Sequence, residues 1–355
     1  MKIAIIGMGL VGRILAWRLH ESDQTIKISL FDQQDRDYYG TGLIAAAMVA
    51  PHSEVPNTEP IVQRLGQHSF QRWKDWLPKL EAQTQQEISY QQNGTIVVAH
   101  PQDQSDWQRF QIKAQAHIDS KEWQTLNQTQ LKHLEPELAQ TFSQGLYFPN
   151  EGVVDNQALY PALNHYFKQA EIISLYENTR IDNLNLISAN FDKVFDCRGN
   201  GASHDLNNFR SVRGEVARVI APEVKFSRAI RLLHPRFPLY IAPRKNDEYI
   251  IGATQIESDI DTPVTIRSGL ELLSALYSLH QGFGEAQILE FLVGLRPTFS
   301  DNLPKIEWGE KIIRINGLYR HGYLFAPILI DDVLNKIMGN ETGIHFPQFI
   351  VNNES

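Results

Sequence analysis

The chain has 355 residues, with 33 Lys and Arg against 41 Asp and Glu, for a formal charge of −8. That balance argues against nucleic acid as the main partner, because neutralising phosphates takes clustered cations. A single cysteine, Cys197, excludes disulfide frameworks and Cys-rich zinc sites within the chain. In chain order, Ile3 to Ile6 is a short β-branched run that ends in Gly7-Met8-Gly9-Leu10-Val11-Gly12. An amphipathic helix follows, carrying Ile14, Leu15, Trp17 and Leu19 among polar residues. Ile26 to Asp32 then alternates like a strand and ends on an acid. Strand, glycine turn, helix and strand together make one βαβ unit.

From Gly40 to Pro51 the chain is small, apolar and short of charge, as a segment lying against something flat would be. The spacing of Leu65, Phe70, Trp73 and Leu77 predicts a helix over 61–77. Residues 83–144 turn polar and Gln-rich, with a strand expected at Thr95 to Ala99 and a helix near Trp107 to Ile118. A strand and a helix return over 145–167, and Val194 to Asp196 runs into the turn Cys197-Arg198-Gly199-Asn200-Gly201. Strand-like runs at Glu215 to Ile220, Leu239 to Ala242 and Tyr249 to Gly252 precede a helix at Leu270 to Leu279. Ile312 to Asn316 reads as a strand, and Gly317 to Pro327 as an aromatic, glycine-rich loop that opens the last helix. The length suits about two domains. The pieces read best as two interleaved domains, with nucleotide-binding segments at the start, middle and end. No run reaches the roughly 18 apolar residues of a membrane span, so a cytoplasmic protein is the default.

The glycine triplet gains meaning from its context. Gly7 permits a tight turn, Gly9 lets a pyrophosphate approach the backbone, and Gly12 lets helix and strand pack closely. The pyrophosphate would sit at the helix N-terminus. Asp32 lies 20 residues beyond Gly12, where an acid accepts hydrogen bonds from a ribose diol and disfavours a 2′-phosphate. The fingerprint alone does not separate NAD from FAD. The absence of a second triplet favours a single bound nucleotide. The twelve histidines never fall two or four apart, so no metal site is expected. No nucleophile elbow or P-loop appears. Cys197 reads as a buried packing residue, and Asp301 near Pro304 as a turn former.

Four ordered blocks make the chain recognisable. They are the fingerprint with Asp32; Ala45-Ala46-Ala47-Met48-Val49-Ala50-Pro51; Leu239-Tyr240-Ile241-Ala242-Pro243-Arg244 with Ile251-Gly252-Ala253-Thr254; and Gly294-Leu295-Arg296-Pro297 with Asp301 to Pro304 and Tyr319-Arg320-His321-Gly322 through Ala326-Pro327. The chain resembles the D-amino-acid oxidase superfamily of FAD enzymes, most closely the glycine oxidases of thiamine biosynthesis. The resemblance implies an α/β fold: a Rossmann-like FAD-binding domain (1–82, 145–213, 306–355) interleaved with a smaller α+β substrate domain (83–144, 214–305) on a mainly antiparallel sheet. It implies non-covalent FAD along Gly7, Gly9, Leu10, Val11, Gly12, Asp32, Gln33, Ala46, Ala47, Met48, Ile181, Gly199, His321, Gly322, Tyr323 and Leu324.

The implied reaction oxidises glycine or another small amino acid to its imine, with oxygen as acceptor and hydrogen peroxide as product. No membrane or nucleic-acid partner is implied, and a homo-oligomer is a family precedent. Arg296 would clamp the carboxylate, with Tyr240 donating to it; Arg320 would face the amine through its main chain, and Met48 would line the pocket. The competing roles are a buried ion pair for Arg296, a strand aromatic for Tyr240, an exposed turn for Arg320 and core filling for Met48. The chain departs from the family pattern at Ala47, often Gly, at Asp32, often Glu, and at Gln255, where some members place a pocket Met. Alternatives are a D-amino-acid dehydrogenase or oxidase, a sarcosine oxidase, a tRNA-modifying flavin domain, which the charge disfavours, and a non-catalytic FAD-binding maturation partner.

Overall fold

The computed structural model describes residues 1–35, 40–233 and 239–352. β1 (Lys2–Ile6), α1 (Leu10–Ser22) and β2 (Lys27–Phe31) form the expected βαβ unit, with β1 and β2 parallel and Ile3 opposite Ile28. Ile3, Ala4, Ile5 and Ile6 are all buried, as a strand covered on both faces requires. The seven-stranded sheet runs Ile350–Asn352, Lys305–Trp308, Ile312–Asn316, Lys193–Asp196, β1, β2, Ile173–Tyr176. Its pairs are parallel except for Lys305–Trp308 against Ile312–Asn316. The strands that follow β1 lie on both its sides, so a crevice opens beyond its C-terminal end.

Helices cover this sheet. α2 (Pro60–Thr84) outruns the expected helix by a full turn and more, passing through Pro78, and ends on Gln85 in the left-handed region. Its buried stripe includes Val62, Leu65, Trp73, Leu77 and Leu80. α3 (Asn156–Gln169) packs beside it in the same core.

A nine-stranded sheet, mainly antiparallel, forms the second layer. Thr95–Ala99 and Gln144–Phe148 belong to it, together with β3 (Phe209–Ile220), β4 (Ala229–Leu233), β5 (Leu239–Pro243) and β6 (Glu248–Gly252). α4 (Ile266–Leu279) packs Leu272, Leu276 and Leu279 against it, and the long strand β7 (Gln287–Phe299) pairs with β3 along its whole length. A three-stranded sheet joins Met48–Val49, Gly152–Val154 and Tyr90–Gln91.

The last helix, α5 (Gly322–Ile337), starts inside the segment expected as loop and includes Pro327. A proline at that position has no N–H for the Tyr323 carbonyl four residues earlier. The indole Nε1 of buried Trp73 donates to that carbonyl instead, at 2.7 Å. The helix therefore keeps its proline without an orphaned acceptor.

Candidate active site

The crevice beyond β1 is shaped by its glycines. Gly7 has φ +105°, and a Cβ there would lie 2.5 Å from the Cys197 carbonyl oxygen. A Cβ on Gly12 would enter the Gly7 carbonyl oxygen, whereas a Cβ on Gly9 would meet nothing within 4 Å. Two glycines thus serve packing and the third leaves open space over the start of α1. Gly9 caps that helix without a side-chain acceptor, so the first amides keep no intrahelical partner. Leu10 and half-buried Val11 stand in this first turn. Arg13, buried one turn inside, braces the loop by donating Nε to the Met8 carbonyl at 2.5 Å.

Asp32 ends β2 at the same crevice. Its Oδ2 accepts from Met8 N at 2.6 Å and its Oδ1 from Gln34 N at 2.9 Å. Each carboxylate oxygen has two lone pairs, so acceptor capacity remains for a diol. Asp32, Gln33 and Ile181 line one cavity of about 330 Å³ with Gly7, Arg198 and Asn200. Gly199, at φ +55°, makes the turn beside it and gives its carbonyl to Asn316 Nδ2 at 2.9 Å.

The small-residue segment is held by its carbonyls. Asn156 Nδ2 donates to Leu43 O and Ala45 O, each at 2.8 Å, and Arg244 Nη2 donates to Ala46 O at 2.7 Å. Ala47 O accepts from Val154 N at 3.0 Å, while Tyr323 Oη donates to Gly42 O at 2.8 Å. Ala46 and Ala47 are buried and Met48 is half-buried. Ala47 sits at φ +52°, in the left-handed region. This is a backbone that glycine adopts without strain, which fits the glycine that the resemblance leads one to expect there. Gln255 is exposed at the end of the Thr254 turn.

The floor of the second half of the site is one row across the large sheet. Cα partners run Val97, Arg231, Tyr240, Gly252, Val216 and Leu292. A Cβ on Gly252 would lie 2.8 Å from Tyr240 Oη, and one on Gly214 would enter the Arg296 guanidinium. Glycines therefore make room for both side chains expected to bind a carboxylate. Arg296 Nη1 donates to Thr254 O at 3.1 Å and Arg213 O at 3.4 Å. Among the described residues it pairs with no acid, so it is not the buried ion pair that was its competing role. Burial lowers its pKa, against the field of Tyr240 and Tyr319. Burial also pushes the Tyr240 hydroxyl up, which leaves it a proton donor.

Arg320 is not an exposed turn. Its Nη2 pairs with Glu54 Oε2 at 2.7 Å, and its Nε lies 3.4 Å from Nε2 of buried His321. Burial, then Arg320, drive the His321 imidazole down to about 3, so it stays neutral. Gly322 and Tyr323 open α5 with amides that lack intrahelical acceptors. A Cβ on Gly322 would first meet Leu10 Cδ2, at 3.5 Å, which puts this helix start beside that of α1. Leu324 differs: its N–H goes to His321 O at 2.9 Å, and its side chain faces Gly66 of α2.

Glu54 and Arg231 are absent from the sequence reading. Their only signal is the acid three residues past Pro51, and the pairing that matters spans residues 54, 231 and 320. Glu151 was missed as well. It is buried and accepts from His52 N at 2.8 Å, Ser53 N at 2.6 Å and Ser53 Oγ at 2.8 Å, fixing the loop that carries Glu54. Among the described residues no three His, Cys, Asp or Glu side chains gather to hold a metal, and no helix is long and apolar enough to cross a membrane.

Fold and crevice together define a dinucleotide-binding protein, with open space for a pyrophosphate, an acid at the ribose position and a second layer bearing a guanidinium that pairs with no acid among the described residues. The family model of the FAD dependent oxidoreductases (DAO) matches residues 2–330, and the chain belongs to that family. It is 33% identical over 341 residues to a Rhizobium etli protein whose name assigns it as a thiamine biosynthesis oxidoreductase, ThiO, covering 95% of this chain and 97% of that one. It is 26% identical to the Synechocystis bifunctional protein ThiO/ThiG, covering 94% of this chain and 51% of that longer one. The crystal structure of glycine oxidase from Geobacillus kaustophilus superposes with a TM-score of 0.84 at 23% identity, covering 99% and 98% of the two chains. The cofactor is therefore FAD, and the fold is the expected Rossmann-like unit interleaved with a mainly antiparallel sheet.

Proposed function

We propose that the chain is an FAD-dependent amino-acid oxidase acting on glycine, with the unpaired guanidinium of Arg296 as the observation that carries the reading. A half-buried guanidinium that meets only main-chain carbonyls is free to take an anion, and a substrate carboxylate fits its fork. Tyr240 Oη would donate to the same carboxylate. The Arg320 main chain would accept from the amine, and Met48 would close one wall. The discontinuous domain division at 1–82, 145–213 and 306–355 against 83–144 and 214–305 stays part of this proposal. So do a soluble cytoplasmic setting, oxygen as acceptor, a homo-oligomer and a role in making the thiazole of thiamine; the ThiO relatives' names support the last.

The start of α1, Asp32 and the start of α5 would hold FAD, with Ala46 and Ala47 beneath it. When bound, FAD supplies a two-electron acceptor for the α C–H bond of the substrate. The chain's own residues bind the carboxylate, orient the α-carbon and exclude water. Tyr240 and His321 are poor bases near neutrality, one raised and one lowered mainly by burial. The substrate amine must therefore arrive neutral, and kcat/KM should rise with pH along the titration of the amine offered. A sarcosine profile that coincides with that of glycine despite their different amines would count against this.

The deciding experiment records the absorbance band at about 450 nm, the oxidised-flavin region, without air. Glycine, sarcosine, D-alanine and D-proline are added separately. Bleaching by glycine, reversed by air with release of peroxide, is the expected result. A yellow protein that none of the four bleaches would overturn the proposal.

A further inference from the structure

Three guanidiniums lie in the field of one carboxylate, and the carboxylate is shared unevenly. Glu54 Oε1 pairs with Arg231 Nη2, and Glu54 Oε2 pairs with Arg320 Nη2 at 2.7 Å. Arg231 is buried and donates Nη1 to Ser53 O at 2.5 Å. It stands next to Tyr240 across the strand pair, on the floor of the site. Among the described residues Arg296 alone of the three forms no ion pair, donating to main-chain oxygens while lying within the field of Glu54. Glu54 thus uses both its oxygens to occupy two of the three cations and leaves one.

A carboxylate held by two guanidiniums is what a second acidic group of a substrate would become on binding here. Glu54 already fills that position, and Ser53, hydrogen-bonded to buried Glu151, anchors its loop. An entering dianion would have to displace a tethered anion or lie beside it, and like charges in an enclosed site repel strongly. Specificity built this way rejects a competitor by repulsion as well as choosing by attraction.

We propose that Glu54 is a specificity-determining residue that restricts the site to amino acids with one carboxylate and excludes those with a second acidic group. The inference rests on the amino-acid oxidase reading and narrows its substrate class. Its chemistry predicts that neutralising Glu54 opens the Arg231 and Arg320 pair to the second carboxylate of a dianion.

The test uses holoenzyme and two inert anions, acetate and malonate, with Kd measured by calorimetry without air. Wild type should bind acetate more tightly than malonate. Glu54→Gln should strengthen malonate by about tenfold or more, the scale of one charge-assisted pair, while acetate shifts by less than about threefold. Flavin bleaching by iminodiacetate relative to glycine should rise in the same direction. Glu54→Asp, which keeps the charge but reaches only one guanidinium, should fall between. It carries the test if the Gln variant does not fold. A malonate-to-acetate ratio equal to that of wild type in the folded variants overturns the proposal. Wild-type bleaching by glycine reports separately on the oxidase reading, because anion binding needs no turnover.

Discussion

At the scale of single residues, the site is organised by cations that lack, or share, an anion. Among the described residues, Arg296 donates only to carbonyls. Removing it should cost the substrate a bidentate clamp while leaving the cofactor cradle intact. Arg296→Ala should raise the glycine KM by about a hundredfold, the value of a strong charge-assisted pair, with an unchanged flavin spectrum. A normal KM would reject the clamp. Glu54 is the opposite case. Burial alone would raise its carboxyl, but Arg231 and then Arg320 pull it down to about 2. Its stabilising effect is therefore complete above its ordinary 4.5 and lost only as pH falls toward 2. Cys197 is buried, and burial raises its thiol, so it should resist thiol reagents until the protein unfolds.

At the scale of elements, two local departures from good secondary structure are explained by partners distant in sequence. Pro327 inside α5 is tolerated because Trp73 of α2 takes the carbonyl it frees. Trp73→Phe keeps most of the packing but leaves that acceptor unpaired. It should lower stability by about 1–3 kcal/mol, measured by urea unfolding. Ala47 is strained by its left-handed backbone, at φ +52°. Ala47→Gly relieves a cost of about 1 kcal/mol or more and gives part of it back through unfolded-chain entropy. The variant should unfold at an equal or higher urea midpoint, and a clear loss of stability would show that the Ala47 methyl packs more than it strains.

At the scale of the whole molecule, buried titratable groups set opposing pH limits. His321 is lowered from 6.5 to about 3, so its contribution is full above 6.5 and declines as pH falls toward 3. Burial raises Glu151 from 4.5 to about 7, despite the Ser53 hydrogen bonds. Its contribution is full below 4.5 and is lost as pH rises through 7. Glu151→Gln keeps an acceptor and removes the titration. The stability difference between wild type and this variant should shrink from pH about 5 to pH about 8. An equal difference at both pH values would show that Glu151 does not titrate in this range.

The sequence by itself determined the nucleotide half of this protein. Its parts are contiguous: an all-apolar strand, a turn that only glycines permit, a helix start and an acid 20 residues on are local necessities of backbone geometry. Thr95 to Ala99 was legible for the same reason, since a strand buried on both faces is written largely in apolar residues. The tertiary structure decided the other half. Which guanidinium stays unpaired depends on Glu54 reaching Arg231 and Arg320, residues 177 and 266 positions away. Helix α5 runs through Pro327, where glycines and aromatics suggested a loop, and a tryptophan 250 residues earlier takes the carbonyl its proline leaves free. Charge pairing and carbonyl satisfaction depend on distance in space, and a linear pattern records only distance along the chain.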